Sequence, residues 1–329
     1  MRTLRRGLVA AACLLILAVP ALAFDLTLTG GRPGGLWAAL GQAINAAVEK
    51  TSPGSRVAYV SSSSGFANAA ILDRGSAHLG IAHDAELWRA KQGESPFEAP
   101  IESLRAIAYL YTWSPVQILV RKEFAETHNL RSVVDLATER APARIGLNGP
   151  GNISTILAEE MLGAVGVTPE SLARWGGRLT FGTIDEQARK LENGELDVMI
   201  DSAFLRYHPI AVAAEKVPLT LLDMDALVIE TLMDSLGTQP FIIPAGSYPG
   251  QDKDVRTVAL GAVLVANRSL PDGVAYAVAK AIYENYRLLA GVHPAMEPLT
   301  PRIMASQKVL EFHPGARRYL EETGLQTGM

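Results

Sequence analysis

Two glycine-rich loops hold the residues of this chain best suited to grip a small polar molecule. Leu26-Thr27-Leu28 is a short apolar run that enters Gly30-Gly31-Arg32-Pro33-Gly34-Gly35, and a helical pattern opens at Leu36 and Trp37. At an offset of 119 positions, Ile145-Gly146-Leu147 enters Asn148-Gly149-Pro150-Gly151-Asn152, and a helical pattern opens again at Ile153 and Ser154. Glycines let backbone approach a ligand closely, and the first N–H groups of a helix have no partners within it. With the helix dipole they favour a negative group such as a carboxylate. Each loop alone could equally be a tight turn, with Asn152 or Ser154 capping the helix behind it. Recurrence at a matched offset brings the binding reading level with that one.

The two copies share a second phrase. Ile71-Leu72-Asp73-Arg74-Gly75 leads into an apolar strand that closes on His83 and Asp84. Lys190-Leu191-Glu192-Asn193-Gly194 leads into another that closes on Asp201 and Ser202, and Gly75 and Gly194 again stand 119 apart. The run Ser61-Ser62-Ser63-Ser64-Gly65, also at a strand end, adds hydroxyls that both donate and accept. Trp37 and Phe66 follow the first two loops and read either as pocket walls or as core. Catalytic patterns are absent: the sequence has no Gly-x-Ser-x-Gly elbow, no His-Glu-x-x-His, no phosphate loop and no dinucleotide fingerprint. The six histidines lie too far apart in sequence for a local metal pair. No enzyme activity, metal or cofactor is expected.

The elements that must position these groups follow from periodicity. Leu36, Leu40, Ile44 and Val48 recur at helical spacing, and Val57 to Val60 reads as a strand. Arg105 to Tyr111 and Val116 to Val120, split by Trp113-Ser114-Pro115, read as strand, crossover, strand. Thr183 and Glu186 have capping-box spacing for a helix ending near Gly194. Val255 to Ala266 reads as a strand carrying the chain back to its first half, too far from its neighbours to be their hairpin partner. The fold class is α/β with two lobes and a cleft between them, where ligands of open α/β sheets sit. Two crossings put lobe I at 24–116 plus 258–329 and lobe II at 117–257.

Arg2, Arg5 and Arg6 precede an apolar stretch from Gly7 to Val19, and Ala21-Leu22-Ala23 has the small-x-small form of a cleavage site. Residues 1–23 are therefore expected to be a cleaved signal peptide, giving a periplasmic product. The single cysteine, Cys13, falls inside it, so no disulfide or thiol chemistry is expected afterwards. The chain has 30 basic against 34 acidic groups, and losing three arginines makes it more acidic. With no basic stripe, nucleic acid is not an expected partner.

The chain resembles the TAXI family, the extracytoplasmic solute receptors of one branch of the TRAP transporters. The likeness starts at Thr29-Gly30-Gly31-Arg32-Pro33-Gly34-Gly35 and runs through Ser61 to Asn68, Gly75 to Ile81 and Pro150-Gly151. It is sharpest at Ile243-Pro244-Ala245-Gly246-Ser247-Tyr248-Pro249-Gly250-Gln251-Asp252 and at Phe312-His313-Pro314-Gly315-Ala316. The resemblance implies a type II-like periplasmic binding protein of the Venus-flytrap kind. Its lobes would close on a small organic acid or amino-acid-like solute and deliver it to a TRAP membrane permease, without converting it. Gly34, Gly35, Ser62, Ser63, Ser64, His83, Asn152 to Ser154 and Ser202 would then line the cleft.

Departures from the family are informative. Relatives tend to have Gln-Ser where this chain has His83-Asp84, and a small Val-Thr-Ala-Gly run at Asp201-Ser202-Ala203-Phe204. Asp84 and Asp201 would add negative charge beside a carboxylate. Either they point away, or the solute carries a positive or donating group for them. An ABC-type receptor, an exported hydrolase using His83 and Asp84, and a sensory module are the rival readings.

Overall fold

The computed structural model describes residues 23–325; of the expected leader, residues 1–22 lie outside the described residues. The strands are β1 (Asp25–Gly30), β2 (Arg56–Ser61), β3 (Leu79–His83), β4 (Leu104–Arg121) and β5 (Arg144–Leu147). They continue with β6 (Arg178–Phe181), β7 (Val198–Ser202), β8 (Leu219–Leu221), β9 (Gln239–Ile243) and β10 (Val255–Asn267). Hydrogen bonding orders them β2-β1-β3-β10-β4-β7-β5-β6, with β8 on β4 and β9 on β10.

That order states the internal repeat in space. In one half β1 lies between parallel β2 and β3, and β3 meets antiparallel β10. In the other β5 lies between parallel β6 and β7, and β7 meets antiparallel β4. Each copy is thus a three-strand parallel unit closed by a strand from the other end of its lobe. Gly75 and Gly194 both follow a helix in the left-handed region, φ 68° and 74°, where a side chain would be strained. The core divides in the same way. One apolar cluster draws on residues between Leu26 and Tyr111 and between Ala262 and Leu320. Two others draw almost wholly on residues between Val116 and Leu260, with Phe66 and Ala85 the exceptions.

Two sequence expectations change. The segment 104–121 is one unbroken strand, not two with a crossover. Pro115 fits inside it because the ladder changes partner there: Pro115 faces Ala259 of β10, and Val116 faces Ser202 of β7. Val255–Asn267 does have a hairpin partner, since β9 pairs with it from Val255↔Ile243 to Ala259↔Gln239. The segment from Pro244 to Asp252 is that hairpin's loop. Its Tyr248 hydroxyl donates to Gln117 Oε1 at 2.5 Å and accepts from Arg206 N at 3.1 Å. Among the described residues, no helix is long and apolar enough to cross a membrane.

Candidate functional site

A cavity of about 640 Å³ lies between the two halves of the sheet. Strand ends deliver most of its lining, and the helices that follow those strands point their amino termini at it. Gly34, Gly35, Leu36 and Trp37 open the Leu36–Thr51 helix, whose cap, Gly35, has no side chain to satisfy the first-turn N–H groups. From the opposite side come Asn152, Ile153 and Ser154, opening the Ile153–Ala164 helix. Asn152 Oδ1 accepts from Ser154 N at 2.8 Å, so one of that helix's free donors is already used. Ser63 and Ser64 open the Gly65–Asp73 helix, His83 caps the Asp84–Gln92 helix, and Ile184 starts the Ile184–Glu192 helix. Several helix amino termini converging on one hollow favour an anion.

Twelve of the sixteen sequence candidates line this cavity: the ten just named, with Asp201 and Ser202. Four do not. Ser62 is turned under the loop, where its hydroxyl lies 2.7 Å from Gly30 O and 2.5 Å from Asn68 Oδ1. Asn68, fully buried, in turn donates to Ile81 O at 2.7 Å, so Ser62 is tied into the scaffold of the loop. Gly151 and Phe66 face a neighbouring cleft of about 490 Å³ whose walls include Arg89 and Glu160, which form an ion pair there. Phe66 is 6 % exposed and packs on Phe97 at 5.9 Å between ring centres, so of its two readings, core holds. Ser62→Ala is therefore expected to leave solute affinity within about twofold while lowering stability by about 1 kcal/mol. Calorimetric titration beside a urea melt checks both.

Asp84 is the clearest correction. It is fully buried and faces away from the cavity. Its Oδ1 accepts from Ala85 N at 2.9 Å, and its Oδ2 accepts from Gly261 N at 2.9 Å and from the Tyr109 hydroxyl at 3.2 Å. It thus pins β3 to β4 and β10 close to where those two strands pass between halves. Burial raises its carboxyl to about 7 from an ordinary 3.8, against the opposing pull of Gly261 N–H, His83, Ala85 N–H and Tyr109. The stability it contributes is complete below pH 3.8 and is lost as pH rises through 7. Asp84→Asn keeps an acceptor for Gly261 and loses that titration. Wild type is therefore expected to lose ground to the variant steadily from about pH 4 to about pH 8 in urea melts. A constant difference would contradict the assignment.

Asp201 edges the cavity but is 2 % exposed, and its oxygens are engaged. Oδ1 accepts from Ser202 N at 2.8 Å, and Oδ2 accepts from Asn148 Nδ2 at 2.9 Å and Gln187 Nε2 at 2.8 Å. Burial pushes it up to about 6, and those hydrogen bonds, with one from Ser154, hold it back. Ser202 bonds across the halves to Ser114, hydroxyl to hydroxyl at 3.0 Å.

Residues 28–324 match the NMT1-like family. The chain belongs to that family. This NMT1-like chain is similar in fold to PhnD1 from Prochlorococcus marinus in complex with methylphosphonate, at TM-score 0.54 and 12% identity over 92% of this chain and 99% of that one. It is also similar to MatC from Rhodopseudomonas palustris with bound malate, at TM-score 0.51 and 14% identity over 92% and 98% of the two chains. A TctC solute-binding protein from Polaromonas gives 0.51 and 14% over 84% and 87%. At these identities the likeness is one of fold, an α/β architecture of two lobes.

Sequence reasoning missed part of the NMT1-like chain's lining. Arg32 borders the cavity and forms no ion pair among the described residues. Burial and then Asp185 push the Tyr207 phenol up, and the positive charge of Arg32 in the opposite half pulls it back. Tyr111, Phe204 and His293 form an aromatic wall, with Phe204 at 5.0 Å from Tyr111 and 6.1 Å from His293 between ring centres. Trp37 continues it, donating to the Tyr111 hydroxyl at 3.2 Å and stacking near His83 at 4.9 Å. Of these, Arg32 stood within the first glycine loop and Phe204 beside Asp201 and Ser202 in the sequence.

Proposed function

We propose that this chain is a periplasmic solute receptor of the TAXI type, which captures a small organic anion between two lobes and presents it to a TRAP permease. The lobes are 24–116 plus 258–329 and 117–257, joined by β4 and β10. The observation that carries this reading is the cavity of about 640 Å³ bounded by helix amino termini from both halves. Its volume suits a small metabolite. Family membership, a fold shared with solute-binding proteins and the leader-like first residues all support it. Closure follows from the ligand's preference for the form in which both walls touch it.

The hydrolase reading finds no assembled machinery. His83 Nδ1 lies 3.1 Å from Glu86 Oε2 and Nε2 lies 3.4 Å from the Tyr111 hydroxyl, while Asp84 is spent on β10. Glu86 could orient the ring, but a base also needs a nucleophile in reach, and no serine bonds this ring among the described residues. Incubating the purified protein with a bound organic anion and following both species by mass spectrometry tests the proposal. Stoichiometric, unchanged solute is expected; steady conversion to product would contradict it.

A further inference from the structure

We infer that the solute is a carboxylate with an aromatic ring and no ammonium group, an inference that rests on the receptor reading above. Three acidic side chains could ask for an ammonium, and two of them are fully engaged elsewhere. Asp84 is turned away and Asp201 is saturated by Ser202 N, Asn148 and Gln187. Glu86 borders the cavity but is 2 % exposed, with Oε2 committed to His83 N at 2.8 Å and only Oε1 without a hydrogen-bond partner among the described residues. An ammonium, with three protons to place, would find only that narrow edge of Glu86 among the lining carboxylates. On the donating side, Arg32 is the one Lys or Arg among the described lining residues, and the helix amino termini add to its field. A net negative ligand satisfies this balance, and a zwitterion leaves its positive end short of partners.

The ring is argued from the walls. Trp37, Tyr111 and Phe204 form a contiguous aromatic surface that starts in one half and ends in the other, and Tyr207 also faces the cavity. Aromatic faces and edges pair best with another ring. The residues at and just beyond the ends of β3 and β7 divide instructively. Both acids, Asp84 and Asp201, are held inside the scaffold, whereas His83 and Phe204 face the hollow on either side of Tyr111. A short aliphatic diacid would leave that wall uncovered in a cavity of about 640 Å³.

The test is calorimetric titration of the exported protein with benzoate, phenylacetate and 4-hydroxybenzoate, beside succinate, L-glutamate and L-phenylalanine. One of the aromatic acids is expected to bind one to one, at least about tenfold tighter than any of the other three. Phe204→Leu keeps apolar volume and loses the ring, so it should weaken that acid about tenfold and change succinate less than threefold. Tightest binding of succinate or an amino acid overturns the ligand class and leaves the receptor standing. Equal loss for all compounds in Phe204→Leu overturns the role given to the ring. Turnover of a bound compound overturns the receptor reading itself.

Discussion

Gly261→Ala is expected to cost about 3–5 kcal/mol and to lower the melting temperature on the order of 5–10 °C. Gly261 stands where β10 slips register against β4, between Leu260 facing Ser114 and Ala262 facing Tyr111. Its N–H goes to the buried Asp84 carboxyl instead of a sheet partner. A methyl group there would stand 2.6 Å from Tyr109 Cε1, 2.8 Å from Asp84 Oδ2 and 3.0 Å from Tyr111 O. Two of these are ring and backbone, which cannot yield without moving β4. The change therefore overpacks the core and strips an acceptor from its donor in one step. Gly273→Ala is the control, since a methyl there meets nothing within 4 Å inside the Asp272–Glu284 helix. It should be neutral or slightly stabilising. A Gly261→Ala protein melting within about 2 °C of wild type would show that β4 and β10 are not locked here.

Arg32→Ala is expected to weaken anion binding about 10- to 100-fold, the range of a lost hydrogen bond to a charged group, with little change in melting temperature. Arg32 is exposed, has no ion pair among the described residues and borders the cavity, so its removal leaves the core intact. Arg32→Lys should recover only part of the affinity, because an ammonium cannot reproduce a planar fork against a carboxylate. Calorimetry on the three proteins checks the order. Full affinity in Arg32→Ala would place the anion on the helix termini alone.

The architecture was largely legible because it repeats. Ile145 and Gly194 fall 119 positions after Leu26 and Gly75, and the structure pairs β5 with β6 and β7 as it pairs β1 with β2 and β3. Local chemistry was legible too: Thr183 and Glu186 make the reciprocal cap their spacing predicts. What failed depended on tertiary placement. Four consecutive serines do not say which face each takes, and Ser62 went under while Ser63 and Ser64 went to the cavity. Asp84 reads as a site residue until β10, 177 positions later, delivers Gly261 to it. Tyr111, Phe204 and His293 come from three distant segments, and nothing local marks them as one wall. The motifs that carried the family likeness most sharply hold the scaffold. Tyr248 braces Gln117, and His313, wholly buried, ties its N–H to Ala106 O at 2.9 Å.

The proposed closure of the lobes is measurable directly. Val60 and Phe181 are exposed at the ends of the two edge strands, β2 and β6, one in each half. The only cysteine of the sequence is Cys13, within the expected leader, so Val60→Cys with Phe181→Cys would give two unique labelling sites. Pulsed electron-spin distance measurement should show the labels drawing together on addition of the tightest-binding acid, with the same midpoint as its calorimetric titration. A distance unmoved by a solute that calorimetry shows to be bound would contradict capture between the lobes.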